Sequence, residues 1–97
     1  MKPIRIMDEA YEDILKIEMW YIGQGTELGD AFLEELYATL EIIRQNPDLF
    51  EARKRNVRRA LLRRFPYLVL YEEVEDAIEV LGVYHGRRNP SVIDERI

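Results

Sequence analysis

With 97 residues, of which 47% are hydrophobic, the chain has enough apolar material for one small core, and we predict a single domain over residues 1–97. No window approaches the roughly 18 uninterrupted apolar residues that a membrane-spanning helix requires, and the N-terminus has no signal-peptide pattern, so we expect a cytoplasmic protein without membrane contact. The chain has no cysteine and one histidine, which excludes disulfides and thiolate chemistry and leads us to expect no metal and no cofactor.

The charged residues are segregated along the chain, although the net charge is only -5. Residues 1–51 carry twelve acidic and four basic side chains, a local charge of -8. Residues 53–64, called here the basic stretch, carry seven basic side chains and no acidic one, a local charge of +7. An evenly spread negative charge would oppose binding to nucleic acid, whereas this segregation indicates an acidic first half followed by a basic surface.

The first half of the chain predicts a short strand followed by two amphipathic helices. Residues 4–7 are largely apolar, and Asp8 is a good N-cap for a helix over residues 9 to about 22. A three-residue break, two of whose members are glycine, precedes Thr26, which we predict to cap a second helix that ends at Asn46-Pro47. Apolar residues recur at helical spacing in both segments, so we expect an antiparallel helical hairpin. These residues are Ala10, Ile14, Ile17 and Tyr21, with Tyr11 and Leu15 beside them, and then Leu28, Phe32, Leu36, Leu40 and Ile43.

The second half of the chain predicts a sheet. Residues 60–62, 67–74 and 77–84 are rich in leucine, valine, isoleucine and tyrosine, and turn-forming residues separate them, which predicts three consecutive antiparallel strands. Both faces of the middle strand are apolar, as expected if the helices cover one face and something else approaches the other. The predicted fold class is therefore α+β, with an N-terminal short strand and an antiparallel helical hairpin packed on a mainly antiparallel β-sheet.

The basic stretch lies on the loop and the strand that follow the helices. Because side chains alternate between the faces of a strand, part of the stretch must face solvent. Arginine forks bind phosphate and carboxylate in bidentate geometry, which favours a surface for an anion or an acidic partner. The alternative is that the stretch balances the acidic helices within the chain. We favour binding, because seven bases without one acid exceed ordinary surface mixing.

A second candidate site follows the last strand, where His85, Gly86, Arg87 and Arg88 occur together. A histidine can act as a general base and a nearby arginine can stabilise phosphorane charge, as a metal-free ribonuclease requires. In the alternative interpretation, His85 forms a structural hydrogen bond and the arginines pair with helix carboxylates. No second proton-transfer group accompanies the histidine. The aromatic side chains lie mostly at core-like spacing, so we interpret them as packing residues: Trp20, Tyr21, Tyr37, Phe65, Tyr67, Tyr71 and Tyr84.

Taken in order, the short strand, the helical hairpin, the Asn46-Pro47 break and the strand that contains Arg59 resemble the RelE/ParE toxin superfamily, and the likeness runs through nearly the whole chain. Its most specific motifs are Phe65-Pro66-Tyr67 with Tyr71 four residues later, and a valine-rich strand that runs into His85-Gly86-Arg87-Arg88-Asn89-Pro90. The resemblance implies a toxin encoded beside an antitoxin, whose C-terminal segment wraps the toxin and blocks its working surface.

Two activities compete under this resemblance. RelE-like members cut messenger RNA on the ribosome with basic side chains on the sheet, and Arg59 matches one such position. Arg87 or Arg88 lies near the C-terminal arginine of these nucleases, and many members also use a C-terminal tyrosine or histidine. Leu68 and Leu61, however, stand where the nucleases carry an arginine and a lysine, so the catalytic set is incomplete.

ParE-like members are not nucleases and poison DNA gyrase, and the resemblance favours this branch. We therefore expect a toxin that is not an enzyme, has an antitoxin and DNA gyrase as protein partners, and acts neither on the ribosome nor on messenger RNA. The expected partner-binding residues are Arg55, Arg58, Arg59, Arg63, Tyr71, Arg87 and Arg88.

Two alternatives stay open. One is a metal-independent, ribosome-dependent endoribonuclease in which Arg59, His85, Arg87 and Arg88 are catalytic. The other is a degenerate toxin-fold protein that only binds its antitoxin.

Overall fold

A computed structural model describes residues 1–88 and 90–97, with all of their side chains except that of residue 92. Asn89 of the terminal motif lies outside the described residues. The described strands form one sheet in the order β1-β5-β4-β3-β2, in which β1 runs parallel to β5 and the other neighbours are antiparallel. The predicted α+β class is confirmed. The elements are β1 (Ile4–Ile6), α1 (Asp8–Gln24), α2 (Thr26–Gln45), β2 (Glu51–Lys54), β3 (Val57–Leu61), β4 (Tyr67–Glu73), β5 (Ile78–His85) and α3 (Pro90–Asp94).

The helical hairpin is confirmed, but both predicted N-caps are one residue too late. Met7 is the N-cap of α1, and Asp8 is the first helical residue, where its carboxylate lies at the favourable, positive end of the helix dipole. Gly25 is the N-cap of α2, and Thr26 is its first residue. The break between the helices is therefore one residue long instead of three. The predicted end of the second helix is confirmed, since α2 ends at Gln45.

The three predicted strands are confirmed as β3, β4 and β5, which pair antiparallel in sequence order, although β3 begins at Val57, three residues before the predicted start. Strand β2 was not predicted, because Glu51–Lys54 holds three charged residues out of four and carries no apolar alternation. It forms the edge of the sheet beside β3, and Arg55 enters the turn between them with a φ of 56°. The basic stretch therefore forms much of a β-hairpin, whereas the sequence predicted a loop and one strand.

The larger core fills the space between the helical hairpin and the sheet. The stacked and edge-on rings of Tyr21, Phe32, Phe65 and Tyr67 close its end nearest the turn between the helices, with ring centroids 5.0–6.2 Å apart. These packing assignments are confirmed. Other buried members of this core are Ala10, Ile14, Ile17, Leu36, Leu40, Ile43, Ala60, Leu62, Val69, Tyr71, Ile78, Val80 and Val83.

Two aromatic residues were assigned wrongly to packing. The side chains of Trp20 and Tyr37 are 58% and 52% exposed, respectively. Leu28 also lies at the surface, although it continues the apolar stripe of α2. Helical spacing identifies the buried side of each helix, but an apolar residue at the margin of that side stays in solvent.

A smaller core covers the opposite face of the sheet, and α3 explains it. Val57, Leu68, Leu70 and Tyr84 are buried on this face, and Ile93 of α3 packs on them. This accounts for the apolar residues on both faces of β4, because helices cover one face and the C-terminal segment covers the other. The sequence predicted that something approaches this face but did not identify α3.

Candidate functional site

The basic stretch is divided between the two faces of the sheet. Arg58 is paired in register with Tyr71, a member of the core below the helices, so Arg58 lies on the helix side. Arg59 is paired with Leu70, a member of the smaller core, so Arg59 lies on the opposite side. The predicted alternation is therefore confirmed, and the arginines of β3 do not form one continuous patch.

Three arginines of the basic stretch form ion pairs with carboxylates outside α1 and α2. The guanidinium of Arg58 also donates to the Phe50 carbonyl at 2.8 Å, which holds it against the chain. Intramolecular balancing by the acidic helices, the alternative considered above, is therefore not how these three charges are paired. The pairs are Arg53–Asp94 at 3.2 Å, Arg58–Asp48 at 3.7 Å and Arg59–Glu51 at 3.2 Å.

The side chains of Arg55 and Arg63 have no carboxylate within 4.0 Å among the residues that the structure describes. Both are exposed. Helix α2 does contact the stretch, but through the backbone, since Glu35 accepts the N–H groups of Arg63 and Arg64. This contact leaves the guanidinium of Arg63 available in solvent.

Tyr71 does not contribute to the surface. Its side chain is 0% exposed, and its hydroxyl donates to the Pro47 carbonyl at 2.6 Å. Burial raises the pKa of the Tyr71 hydroxyl to about 12, because the phenolate would lie in a poorly solvated place. The expectation that Tyr71 contacts a partner is therefore wrong. Its role is structural, because its hydrogen bond connects β4 to the loop after α2.

His85 makes local contacts that match the structural interpretation of this residue. Its ring meets Tyr67 edge-on with centroids 5.3 Å apart, and its Nδ1 accepts the backbone N–H of Arg87 at 3.0 Å. In the neutral ring an accepting Nδ1 leaves the proton on Nε2, so neither nitrogen has a free lone pair for a general base.

The four residues of the ribonuclease alternative are not brought together on one face. Across the sheet, Arg59 is level with Leu70 and Gly82, and His85 lies three residues further along β5. With strands about 4.8 Å apart and residues about 3.3 Å apart, the Cα atoms of Arg59 and His85 are roughly 14 Å apart. His85 is paired with Tyr67 and lies on the helix side, opposite to Arg59.

A groove of about 760 Å³ lies beside His85, between α1, the end of β5 and the C-terminal segment. Trp20, Tyr67 and His85 give it aromatic walls, and Lys16 and Arg88 add cations. The sequence did not predict it, because its walls come from four separate segments of the chain. The one available signal was Trp20 on the first helix, which the sequence assigned to packing.

At the same groove, Arg96 bridges α1 and the C-terminal segment. It contacts Glu9 at 2.8 Å and Asp13 at 2.6 Å, and its guanidinium lies 4.8 Å from the centre of the Tyr84 ring. Burial, more than the neighbouring charges, raises the pKa of the Tyr84 hydroxyl.

Over residues 1–88 and 90–97, no three histidine, aspartate or glutamate side chains are grouped as metal ligands. No helix in those ranges is long and apolar enough to cross a membrane.

Comparison with known proteins assigns the chain to a family. A family model described as the ParE toxin of type II toxin-antitoxin systems, parDE, matches residues 4–90. The chain belongs to the ParE toxin family. The protein called Toxin ParE2 in two strains of Mycobacterium tuberculosis is 28% identical over 96 residues, which cover 97% of this chain and 90% of that protein.

A solved structure supports the same fold. A chain of the "Chromosomal ParDE TA system from P. aeruginosa" matches with a TM-score of 0.78, over 88% of this chain and 96% of that chain. At 17% identity, this likeness concerns the fold alone. Together the comparisons confirm the resemblance to the RelE/ParE superfamily and its ParE-like branch. The chain is a toxin of a type II toxin-antitoxin system, and a system of this kind includes an antitoxin partner.

Proposed function

We propose that this ParE-family toxin acts in the cytoplasm by inhibiting DNA gyrase, without catalytic chemistry of its own. The observation that carries the proposal is the separation of the ribonuclease candidates. Arg59 and His85 lie on opposite faces of the sheet, and Nδ1 of His85 is occupied by the N–H of Arg87. A metal-free cleavage of RNA needs a base and a cation around one phosphate, and Arg59 and His85 do not form such a pair. Arg88 lines the groove beside His85, but Nδ1 of His85 already accepts a hydrogen bond.

The surface charge supports the same proposal. The net charge of -5 and the acidic first half of the chain oppose docking on the dense phosphates of the ribosome. Leu61 is 63% exposed and Leu68 is buried, so neither position offers a charge to a scissile phosphate.

We further propose that the antitoxin binds the exposed cations of the basic stretch with an acidic segment. Arg55 and Arg63 lack carboxylate partners among the described residues, and Arg59 is paired only with the exposed Glu51 of the edge strand. Arg87 and Arg88, also expected at the interface, are exposed just after β5, and Arg88 lines the groove beside His85. Arg58 and Tyr71 are left out of the proposed interface, because Arg58 is held by the Phe50 carbonyl and Tyr71 is buried.

The test of the target uses the purified chain in two assays. We expect it to inhibit ATP-dependent supercoiling by DNA gyrase and to leave messenger RNA intact in a translating extract. The double variant Arg59→Gln/His85→Gln is the matched control, since under the ribonuclease alternative it abolishes cleavage. RNA cuts at the ribosomal A site that disappear in this variant, with no effect on gyrase, would overturn the proposal.

A growth assay tests whether the toxin is active. Induced expression in bacteria should arrest growth, and co-expression of the protein encoded by the adjacent gene should relieve the arrest. Unchanged growth with the chain present in folded form at high level would instead favour a degenerate toxin that only binds its antitoxin.

A further inference from the structure

The second half of β5 is an open edge of the sheet. Strand β1 pairs only with Ile78–Val80, so residues 81–85 extend beyond it. The Gly86 N–H donates to the Pro66 carbonyl at 2.7 Å. This bond shows which residues of β5 direct their backbone groups toward β4 and which direct them away from it. The N–H and C=O groups of Val83 and His85 point away from β4 and into the groove.

Other parts of the chain occupy some of these edge groups. Asp13 accepts the Val83 N–H at 3.0 Å, and Arg96 donates to the Leu81 carbonyl at 3.3 Å. The Arg88 N–H donates to the His85 carbonyl at 2.9 Å. Within residues 1–88 and 90–97, the Val83 carbonyl oxygen and the His85 N–H have no partner. One acceptor and one donor therefore remain free, one on each side of Tyr84.

These two free groups select one direction for an added strand. In a parallel ladder, a single residue opposite Tyr84 donates its N–H to the Val83 carbonyl and accepts the His85 N–H. An antiparallel strand would need either the N–H of Val83 or the carbonyl of His85, and Asp13 and Arg88 already occupy these. Strand β1 is also parallel to β5, so the added segment would continue the same pattern.

We infer that the groove binds an extended segment of the antitoxin as a short strand parallel to β5, with an acidic side chain between Lys16 and Arg88. The inference rests on the proposed antitoxin partner and adds a contact distinct from the basic stretch. Sheet edges commonly bind extended peptides in this way, with main-chain bonds for affinity and side-chain contacts for specificity.

The chemistry of the groove favours a polypeptide over a nucleic acid. The free groups are a backbone donor and acceptor at strand spacing, which a peptide matches with its own N–H and C=O. The groove also contains Glu9, Asp13 and Glu95 beside Lys16, Arg88 and Arg96, so it has no excess of positive charge with which to hold a phosphate chain. Lys16 and Arg88 have no carboxylate partner in the described part of the chain, and Trp20 offers an exposed ring for an apolar side chain.

Amide hydrogen exchange in the complex with the antitoxin encoded by the adjacent gene tests the inference. We expect the exchange of the His85 N–H to slow about tenfold or more on binding, because a hydrogen-bonded amide must open before it exchanges. The Val83 N–H, which Asp13 already holds, is the internal control and should change less. A complex in which the His85 N–H keeps its free rate overturns the inference and leaves the proposed function intact. Absence of any complex overturns the inference together with the proposed antitoxin contact.

A charge reversal outside the basic stretch separates the two contacts. Lys16→Glu should weaken antitoxin binding by about tenfold, since it places a like charge opposite the bound carboxylate. Lys16→Arg, which keeps the charge, should bind as the unaltered chain does. If Lys16→Glu leaves the antitoxin affinity unchanged, while charge reversals at Arg55 and Arg63 lower it, the antitoxin uses the basic stretch and not this groove.

Discussion

Replacing Asp13 with alanine tests whether its contacts hold α1, β5 and the C-terminal segment together. Asp13 accepts the Val83 N–H at 3.0 Å and contacts Arg96 at 2.6 Å, and its side chain is 18% exposed. A hydrogen bond to a charged group contributes about 1.5–3 kcal/mol. In the variant Arg96 still forms its ion pair with Glu9, at 2.8 Å, so no fully buried charge is left unpaired. The Val83 N–H, which loses its acceptor, faces the groove. We expect the free energy of unfolding to fall by about 2–3 kcal/mol.

Thermal unfolding followed by circular dichroism measures this loss. In a domain of this size about 1 kcal/mol corresponds to 4–8 °C, so Tm should fall by roughly 10–20 °C. Glu12→Ala, on the exposed side of the same helix, is the control and should change stability by less than about 0.5 kcal/mol. Combined with Arg96→Met, the Asp13 variant should show a coupling of about 1 kcal/mol or more. Additive effects, or a loss as small as that of the control, would refute the bridging role.

Three further predictions concern the basic stretch and Tyr71. The double variant Arg55→Glu/Arg63→Glu should weaken antitoxin binding about tenfold or more in calorimetric titrations at low salt, and by a smaller factor at high salt. The control Arg55→Lys/Arg63→Lys should bind as the unaltered chain does. Equal affinities of the glutamate variant and the unaltered chain would contradict the docking surface. Tyr71→Phe should lower the free energy of unfolding by about 1 kcal/mol in urea titrations, because the Pro47 carbonyl loses its donor, and an unchanged midpoint would argue against that bond. Because the pKa of Tyr71 is raised to about 12 in the folded chain, above the ordinary 10.0, the protonated Tyr71 stabilises the fold fully below pH 10, and this stabilisation is lost as the pH rises from 10 to about 12. The difference in phenolate absorbance between the native unaltered chain and native Tyr71→Phe measures the ionisation of Tyr71. Ionisation of Tyr71 near pH 10 would contradict its burial.

The parts of the fold that the sequence predicted are those set by apolar periodicity. The helical hairpin and strands β3 to β5 bury regular apolar residues, and each was recognised from its spacing. Strand β2 was missed because an edge strand pairs through its backbone and needs no apolar side chains. Helix α3 was missed because it has only five residues, too few to show an apolar period. Ile93 is its side chain in the smaller core.

The candidate site was harder to predict, since its properties depend on contacts between distant segments. The sequence located the basic stretch, but the assignment of Arg58 to the helix side and of Arg59 to the other side required the strand register. The sequence assigned Tyr71 both to packing and to partner binding, and its burial and its bond to Pro47 decide in favour of packing. The groove depends on Asp13 and Arg96, which lie 83 residues apart and have no shared sequence pattern.

We propose that this toxin inhibits gyrase and that the antitoxin neutralises it through the basic stretch. The most direct measurement titrates the antitoxin encoded by the adjacent gene into a supercoiling reaction inhibited by the unaltered chain or by Arg55→Glu/Arg63→Glu. We predict that both chains inhibit gyrase, and that the variant needs about tenfold more antitoxin before supercoiling returns. Failure of the unaltered chain to inhibit supercoiling would contradict the claim about the target. Identical antitoxin titrations for the two chains would contradict the claim about the surface.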